Sequence, residues 1–371
     1  MRLPAVLMLL LAVFTAATVL PLGTTAERGT IRFVVWGQPF EDRLFADRYA
    51  RGFEREHPGI AVDYQRHADP MLKYNAWHAR GTGAEVMRLR VTDYHQLVAR
   101  GMLLPLDDFI ADPKSGLSAA EMNEFPPQLL AALRVDGQLF ALPEDTAQFG
   151  LYYNRAHFDA WNHAHPEDPL AYPSAAWTWT DLRDAARKLT RRGADGQQAI
   201  AGFDMAVWEW PFMHFFLQAG GRFWNRDGSC AIAEGNAAVE ALVFLGDLVS
   251  DGSWSPSFGR PGTLGPDARF AAGQTAMLMD GSWMVPSLEI RAPELDFAVA
   301  PPPHGATNRS IAGSVLWGIS ASAPDPRAGW NLVRWLVQEE QAAAYWDVLR
   351  VAPPAHLGVV ASSRFRSRPK R

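Results

Sequence analysis

The segment "GQLFALPEDTAQFGLYYN", residues 137–154, contains two apolar runs that are separated by a proline and two carboxylates. The run on each side of Pro143 is typical of an extended strand. A proline followed by Glu144 and Asp145 suits a chain that leaves one globular half and enters another. With 371 residues and 48% apolar content, the chain is long enough to bury the cores of two lobes. We therefore interpret this segment as a crossing between two lobes.

Strands and helices alternate before the crossing. Residues 30–36 and 59–65 are strand-like, and residues 41–56 between them have helical spacing of their apolar side chains. A third strand is expected over 84–91, followed by a helix that ends at Gly101. This alternation predicts an α/β fold with mainly parallel sheets that are covered by helices on both faces.

Three amphipathic helices are predicted beyond the crossing. The first covers residues 178–190, with Thr180 as its N-cap and one buried face. The second covers residues 235–252 and the third, a long one, covers residues 325–346. The side chains expected on the buried faces of the first two helices are Leu182, Ala185, Ala186 and Leu189, and Val239, Leu242, Leu245 and Val249.

The first 26 residues resemble a secretory signal. Arg2 precedes an apolar stretch, and small residues at Thr24 and Ala26 suit cleavage after Ala26. We expect export to the periplasm or the extracellular space, with an uncleaved membrane anchor as the alternative.

Charge and cysteine content exclude several classes of function. The net charge of −5 and the pI near 6.1 offer no broad basic face for nucleic acid. Cys230 is the single cysteine, so neither an internal disulfide nor a metal site with paired thiolates is possible. Glycine-rich phosphate loops and the HExxH zinc motif do not occur in the sequence. We expect no metal, no cofactor and no enzymatic activity.

Six segments, taken together and in order, resemble the extracellular solute-binding proteins of sugar-type ABC importers. The resemblance runs from about residue 30 to about residue 360. The segments are "FVVWGQPFEDRLFADRYARGFEREHPGIAVDY", "GAEVMRLRVTDYHQLVARGMLLPLDDFI", "DGQLFALPEDTAQFGLYYNRAHFD", "WTWTDLRDAARKLT", "FAAGQTAMLMDGSW" and "AGSVLWGISASAPDPRAGWNLVRWLVQEEQAAAYW".

The resemblance implies the two-lobed clamp of periplasmic binding proteins, with discontinuous lobes. Lobe one is expected to comprise residues 27–143 and 319–371, and lobe two residues 144–318. Members of the family usually cross a third time and end with helices on lobe two, and here those helices are expected to be missing. Arg88 and Arg90 stand in a usually apolar strand, so we expect either a solvated edge strand or contacts to an anionic group.

A sugar-binding cleft needs aromatic planes for the apolar faces of the sugar rings and carboxylates for the hydroxyl groups. Trp283 matches the position at which an aromatic residue of the family stacks on ligand, and core packing is the alternative for every tryptophan. Asp93 has the alternative of capping the helix that follows it. Glu144 and Asp145 are adjacent, so only one of them is expected to meet the ligand. The predicted ligand contacts are Trp36, Asp93, Glu144, Asp145, Trp208, Glu209, Trp210, Asp280, Trp283 and Trp317.

The sequence thus predicts a monomeric protein that closes on a sugar or oligosaccharide and delivers it to the membrane permease of an ABC importer. One alternative keeps the clamp and changes the solute to glycerophosphate or a polyamine. Another is a secreted carbohydrate-active hydrolase, which also combines tryptophans with two carboxylates. A degenerate, ligand-free scaffold is the third.

Overall fold

The computed structural model describes residues 29–194, 198–225, 229–256 and 264–366. The predicted signal segment, residues 1–26, lies outside these ranges. Within them, no helix is both long enough and apolar enough to cross a membrane.

Thirteen strands form within the described ranges. They are β1 (Gly29–Val35), β2 (Ile60–Arg66), β3 (Val86–Arg90), β4 (Arg134–Val135), β5 (Gln138–Leu139), β6 (Ala141–Pro143), β7 (Ala147–Asn154), β8 (Arg191–Arg192), β9 (Gln198–Met205), β10 (Thr275–Gly281), β11 (Phe297–Ala300), β12 (Ala312–Gly313) and β13 (Val315–Gly318).

The helices connect these strands and cover the sheets. The first four follow one another without a break, and the third of them is a π-helix. In chain order the helices are Pro39–Glu41, Asp42–Leu44, Phe45–Ala50, Arg51–Glu56, Met71–Ala79, Val91–Ala99, Asp107–Ile110, Ala119–Met122, Pro127–Leu133, Arg155–Ala164, Trp179–Leu189, Glu209–Gln218, Ala237–Ser250, Pro266–Ala271, Met284–Arg291, Pro326–Leu336, Glu339–Val348, Leu357–Ala361 and Ser363–Arg366.

Two sheets divide the molecule into two lobes, as predicted. The sheet of lobe one has the strand order β2-β1-β3-β13-β6, and that of lobe two has the order β11-β7-β10-β9-β8 with β12 beside β7. Strand β1 is parallel to β2 and β3, and β10 is parallel to β9. The other pairs within these two sheets are antiparallel, so the sheets are mixed rather than mainly parallel. Strands β7 and β13, which enter a lobe from the crossings, run against their neighbours, and β8 and β9 form a further antiparallel pair.

The chain returns to lobe one earlier than the sequence predicts. Strand β12 ends at Gly313 on the sheet of lobe two, and β13 begins at Val315 on the sheet of lobe one. The second crossing is therefore at Ser314, and the predicted boundary between residues 318 and 319 is wrong.

Trp317 lies at the centre of the lobe-one core. Its side chain is 1% exposed, and its ring contacts Phe33 and Phe45 at centroid distances of 5.6 Å and 6.1 Å. The helix Pro326–Leu336 packs Trp330 and Leu332 into the same core. Trp317 therefore stabilises the lobe by packing, and its assignment as a ligand contact is wrong.

The core of lobe two confirms one predicted helical face and corrects another. Leu182, Ala185, Ala186 and Leu189 are buried as expected, although the helix is capped by Thr178 and not by Thr180. On the helix Ala237–Ser250, the buried residues are Ala241, Phe244, Leu245 and Leu248, and three of the four predicted side chains are exposed. Both faces of this helix are apolar, and stacking of Phe244 on Trp179 at 4.7 Å selects the face with the larger side chain.

The predicted long helix over residues 325–346 is two helices. Pro326–Leu336 ends at Val337, and Gln338 has an extended backbone before Glu339–Val348 begins. This break lets each helix direct its own buried side chains inward.

Replacing Trp317 by alanine tests the packing of lobe one. We expect Trp317→Ala to lower the free energy of unfolding by about 3–5 kcal/mol, because it leaves a cavity among large side chains. The matched control is Trp224→Ala, since Trp224 is 67% exposed and its loss should cost about 0.5 kcal/mol or less. Urea unfolding followed by circular dichroism measures both. Equal costs for the two variants would contradict the placement of Trp317.

Candidate functional site

Three segments of the chain lie side by side where the lobes meet, and we call them the junction. The amide of Glu144 donates to the carbonyl of Val315 at 2.8 Å, and the amide of Ala355 donates to the carbonyl of Glu144 at 2.9 Å. The amide of Thr146 donates to the carbonyl of Pro353 at 2.8 Å. The junction comprises residues 144–146, 314–315 and 353–355.

Asp145 bonds to the segment 314–315 of the junction and to Tyr345 on the helix Glu339–Val348. One carboxylate oxygen accepts the amide of Val315 at 2.9 Å, and the other accepts the hydroxyl of Tyr345 at 2.6 Å. The carbonyl of Asp145 accepts the hydroxyl of Ser314 at 2.7 Å. Burial raises the pKa of Asp145, while these hydrogen bonds act in the opposite direction. The carboxylate is thus occupied by the protein and does not face a cleft, so its prediction as a ligand contact is wrong.

The carboxyl ends of the parallel strands point toward the junction in both lobes. In lobe one, Arg90 at the end of β3 pairs with Val315 at the start of β13. In lobe two, Gly281 at the end of β10 pairs with Phe149 near the start of β7. Ligands of open α/β sheets bind outside the carboxyl ends of the strands. The space beside the junction, between the two sets of strand ends, is therefore the candidate site.

Lobe two contributes an aromatic cluster to this site, formed by Phe149, Trp208, Trp210 and Trp283. Trp208 and Trp210 are stacked, with ring centroids 5.7 Å apart and planes 5° from parallel. Trp283 lies 6.4 Å from Trp210 and meets Phe149 edge to face at 5.4 Å. Trp208 is 42% exposed and Trp210 is buried beneath it. The exposed face of the cluster is therefore supplied by Trp208, while Trp210 supports it.

Trp283 lies between the lobes. Its half-buried side chain packs against the buried core of lobe one as well as against both apolar clusters of lobe two. The indole also donates to the carboxylate of Asp280, which immediately follows the buried part of β10. Burial raises the pKa of Asp280 to about 7, and the amide of Gly281 donates to it at 2.7 Å. A side chain in contact with both halves is well placed to respond to their closure.

Lobe one contributes Trp36, which directly follows β1. Trp36 is half-buried, and the guanidinium carbons of Arg88 and Arg90 lie 4.9 Å and 5.9 Å from its ring centroid. Arg90 donates to Asp93 at 2.7 Å, and Asp93 is the third residue of its helix and not the N-cap. The rings of Trp36 and of the aromatic cluster thus belong to opposite sides of the candidate site.

Arg88 occupies the interior of lobe one. Its Nε donates to Glu144 at 2.8 Å, and its Nη1 donates to Glu41 at 3.2 Å and to the carbonyl of Trp36 at 2.8 Å. The side chain is 2% exposed, and β3 is the central strand of its sheet. The prediction of a solvated edge strand is therefore wrong for Arg88, which is buried in the central strand and donates hydrogen bonds to two acidic side chains.

The remaining predicted carboxylates have different surroundings. Glu144 is buried against Arg88, so it too is not a surface ligand contact, contrary to the prediction. Glu209 is exposed at the first position of the helix Glu209–Gln218, next to Trp208. Asp93 is half-buried in its ion pair with Arg90.

The sequence did not predict the roles of Glu41, Arg88 and Phe149. An arginine in an apolar strand was a signal that a buried carboxylate partner exists, but sequence spacing does not indicate which carboxylate approaches it. Phe149 shares a face of β7 with the core residues Leu151 and Tyr153, so its sequence pattern is that of a core residue. Only its ring contacts with Trp210 and Trp283 identify it as a member of the aromatic cluster.

The chain matches a known protein family. The model of the bacterial extracellular solute-binding proteins matches residues 36–343, and the chain belongs to that family. A binding protein of Brucella abortus (strain 2308) is 22% identical over 338 residues, which span 88% of this chain and 77% of the relative.

Solved structures share the two-lobed fold. An ABC substrate-binding protein of Listeria monocytogenes in complex with cycloalternan has a TM-score of 0.76 and 23% identity, covering 92% of this chain and 84% of that one. The GacH receptor of Streptomyces glaucescens, solved unliganded and with acarbose, has a TM-score of 0.76, 20% identity and coverage of 92% and 84%. A maltodextrin-binding domain of Bdellovibrio bacteriovorus bound to maltotriose has a TM-score of 0.73, 19% identity and coverage of 91% and 85%.

The buried carboxyl group of Glu144 makes stability depend on pH. Desolvation raises its pKa above the ordinary value, although Arg88 acts in the opposite direction. Between the ordinary and the raised pKa the native state holds a proton that the unfolded chain releases, so the free energy of unfolding falls as pH rises through this interval. We expect Glu144→Gln to make this fall shallower, because the amide does not titrate.

Urea unfolding at about pH 5 and about pH 9 measures the difference in slope. Asp145 and Glu41, whose pKa values are also raised, retain part of the dependence in the variant. Glu240→Gln, which changes an exposed carboxylate on lobe two, is the matched control and should leave the slope as it is in the wild type. An unchanged slope in Glu144→Gln would show that Glu144 is ionised throughout.

Proposed function

We propose that this protein captures a saccharide between its two lobes, outside the cytoplasm, and delivers it to the permease of an ABC importer. The observation that carries this proposal is the pair of aromatic surfaces at the strand ends, Trp36 on lobe one and the aromatic cluster on lobe two. Indole faces pack well on the apolar faces of sugar rings, and such surfaces on two lobes suit a ligand that is held from both sides. The solved relatives above that bind cycloalternan, acarbose and maltotriose support a carbohydrate ligand.

The charges around Trp36 favour a neutral ligand. Arg88 and Arg90 already lie over the Trp36 indole as cation–π partners, so a polyamine could not take the same positions on this ring. Each arginine is also paired with at least one carboxylate, so neither is available to neutralise a phosphorylated ligand. A neutral saccharide meets neither obstacle.

The mechanism is a conformational change without bond chemistry. A ligand that contacts both lobes has a higher affinity for the closed state and shifts the equilibrium toward it. Bending at the junction would close the lobes, and a permease would then recognise the closed surface. The chain is expected to act as a monomer with a signal segment at residues 1–26, as proposed from its sequence.

A thermal-shift panel tests the choice of ligand. We expect one or more neutral oligosaccharides to raise the melting temperature, since a ligand that binds only the native state adds about 2.7 kcal/mol of stability at 100 times its Kd. Glycerol 3-phosphate and spermidine should produce no shift. Chromatography after incubation should recover the oligosaccharide intact, and cleavage would instead favour the hydrolase. A panel in which every carbohydrate fails would refute saccharide capture.

Trp283→Ala tests the contribution of the aromatic cluster. Loss of an indole between the lobes should weaken saccharide binding at least about tenfold, equivalent to about 1.4 kcal/mol. Titration calorimetry measures the Kd, and Trp224→Ala, which removes an exposed tryptophan outside the site, should leave it unchanged. An equal Kd for Trp283→Ala and the wild type would remove Trp283 from the binding surface.

A further inference from the structure

The charges beneath Trp36 are an unusual feature of lobe one. Four ionisable side chains, three acids and one base, are enclosed there by the sheet, the N-terminal helices and the junction. We call them the buried charge cluster: Glu41, Arg88, Glu144 and Asp145. A buried guanidinium is costly unless its charge and its hydrogen bonds are satisfied, so this arrangement restricts the position of each group that contacts it.

Arg88 contacts Trp36 in two independent ways. Its Nη1 donates to the carbonyl of Trp36 at 2.8 Å, and its guanidinium carbon lies 4.9 Å from the centre of the indole ring. The first contact holds the backbone at the end of β1 and the second holds the side chain. The guanidinium carbon also lies 4.5 Å from the ring centroid of Phe45.

The same guanidinium contacts the first crossing of the chain. Its Nε donates to Glu144 at 2.8 Å, and the backbone of Glu144 pairs with Val315 and Ala355 in the junction. Its Nη1 also contacts Glu41, whose approach depends on Gly37. Gly37 has a φ of +154°, and a Cβ at this position would collide with the Glu41 carboxylate.

We propose that Arg88 is a positioning residue that fixes the Trp36 indole at the cleft surface and couples it to the junction through Glu144. The ligand-related part of this inference rests on the proposed function, whereas the positioning of Trp36 does not. Lysine cannot replace arginine here, because an ammonium group lacks the planar surface that stacks on an indole and the fork that reaches three acceptors.

Other ionisable groups also face Glu144, and they influence the pKa that a titration of Glu144 would measure. Arg88 lies on β3, Glu41 on the N-terminal helices, and Asp145 on the junction, and all three act on the pKa of Glu144. Tyr49, Tyr345 and His356 line a small cavity with Glu144. One carboxylate oxygen of Glu144 is buried without a hydrogen-bond partner. Gain or loss of a proton on Glu144 therefore changes how this buried carboxyl group interacts with its surroundings.

The test of positioning uses no ligand. Protein labelled with 5-fluorotryptophan gives one fluorine resonance for each tryptophan, and Trp36→Phe assigns the resonance of Trp36. We expect Arg88→Lys to shift or split this resonance while the resonance of Trp283 stays in place. In the wild type the Trp36 resonance should titrate with Glu144, and in Glu144→Gln this titration should become smaller, with the remaining part due to Glu41 and Asp145. Circular dichroism verifies that each variant is folded.

Two comparisons distinguish a specific effect on Trp36 from a general loss of structure. Arg90→Lys is the matched control, since Arg90 is on the same strand but is half-exposed and lies farther from the ring, and it should move the Trp36 resonance less than Arg88→Lys. If Arg88→Lys does not fold, Glu144→Gln alone should still move the resonance, while Asp93→Asn, which removes the partner of Arg90, should not. A Trp36 resonance that is unaffected in every folded variant would overturn the proposal.

A double-mutant cycle then addresses ligand binding. Arg88→Lys should weaken saccharide binding about tenfold in the wild type and have no further effect in Trp36→Ala, whereas its effect should persist in Trp283→Ala. Full additivity with Trp36→Ala would overturn the coupling to the binding surface. If no carbohydrate binds the wild type, the proposed function fails while the fluorine spectra still decide whether Arg88 positions Trp36.

Discussion

The structure of lobe one depends on the pairing of one buried arginine. Arg88 stands at the middle of the central strand, where a charge is tolerated only with compensation. Its partners come from the helices after β1 and from the first crossing, which are remote in sequence. The pairing therefore fixes the position of these two elements against the sheet. Apolar side chains in place of Arg88, Glu41 and Glu144 could fill the same space equally well. They would not connect the cleft surface to the crossing, however.

The junction limits how the two lobes can move. Three segments are joined there by backbone hydrogen bonds, and the carboxylate of Asp145 adds bonds to two of the elements around it. Hinge motions need a few residues that absorb changes in φ and ψ. Thr146 and Ser314, which stand between strands of different lobes, are the positions where the backbone passes from one sheet to the other. Closure would thus rotate the lobes about a hinge at these two positions without breaking the core of either lobe.

Much of the fold was predictable from the sequence, because apolar periodicity reports burial directly. The alternation before Gly101, the crossing after Pro143 and the buried face of the helix Trp179–Leu189 are in the structure as predicted. Periodicity failed where a segment is apolar on every side, as in the helix Ala237–Ser250. It also failed for Trp317, because a tryptophan at the end of a core strand has the same local pattern as one at a cleft.

The site was less predictable than the fold for a related reason. Ionisable residues acquire their roles from partners that are distant in sequence, and the pairing of Arg88 with Glu41 and Glu144 cannot be obtained from spacing. When these partners are unknown, Glu144 and Asp145 look like carboxylates that could bind a ligand. In the structure Trp36, Trp208 and Trp283 each come shortly after the carboxyl end of a strand, and their contact with a ligand stays a prediction.

The two aromatic surfaces are held by different physical means, and this difference bears on binding. Trp208 rests on Trp210 through apolar stacking, which tolerates small displacements of the rings. Trp36 is held by a hydrogen bond to its backbone and by a guanidinium that is itself fixed by two carboxylates. A rigid surface costs little conformational entropy when a ligand binds, whereas an adaptable one can follow the shape of that ligand. A clamp with one surface of each kind would combine a fixed contact at Trp36 with an adaptable contact on lobe two.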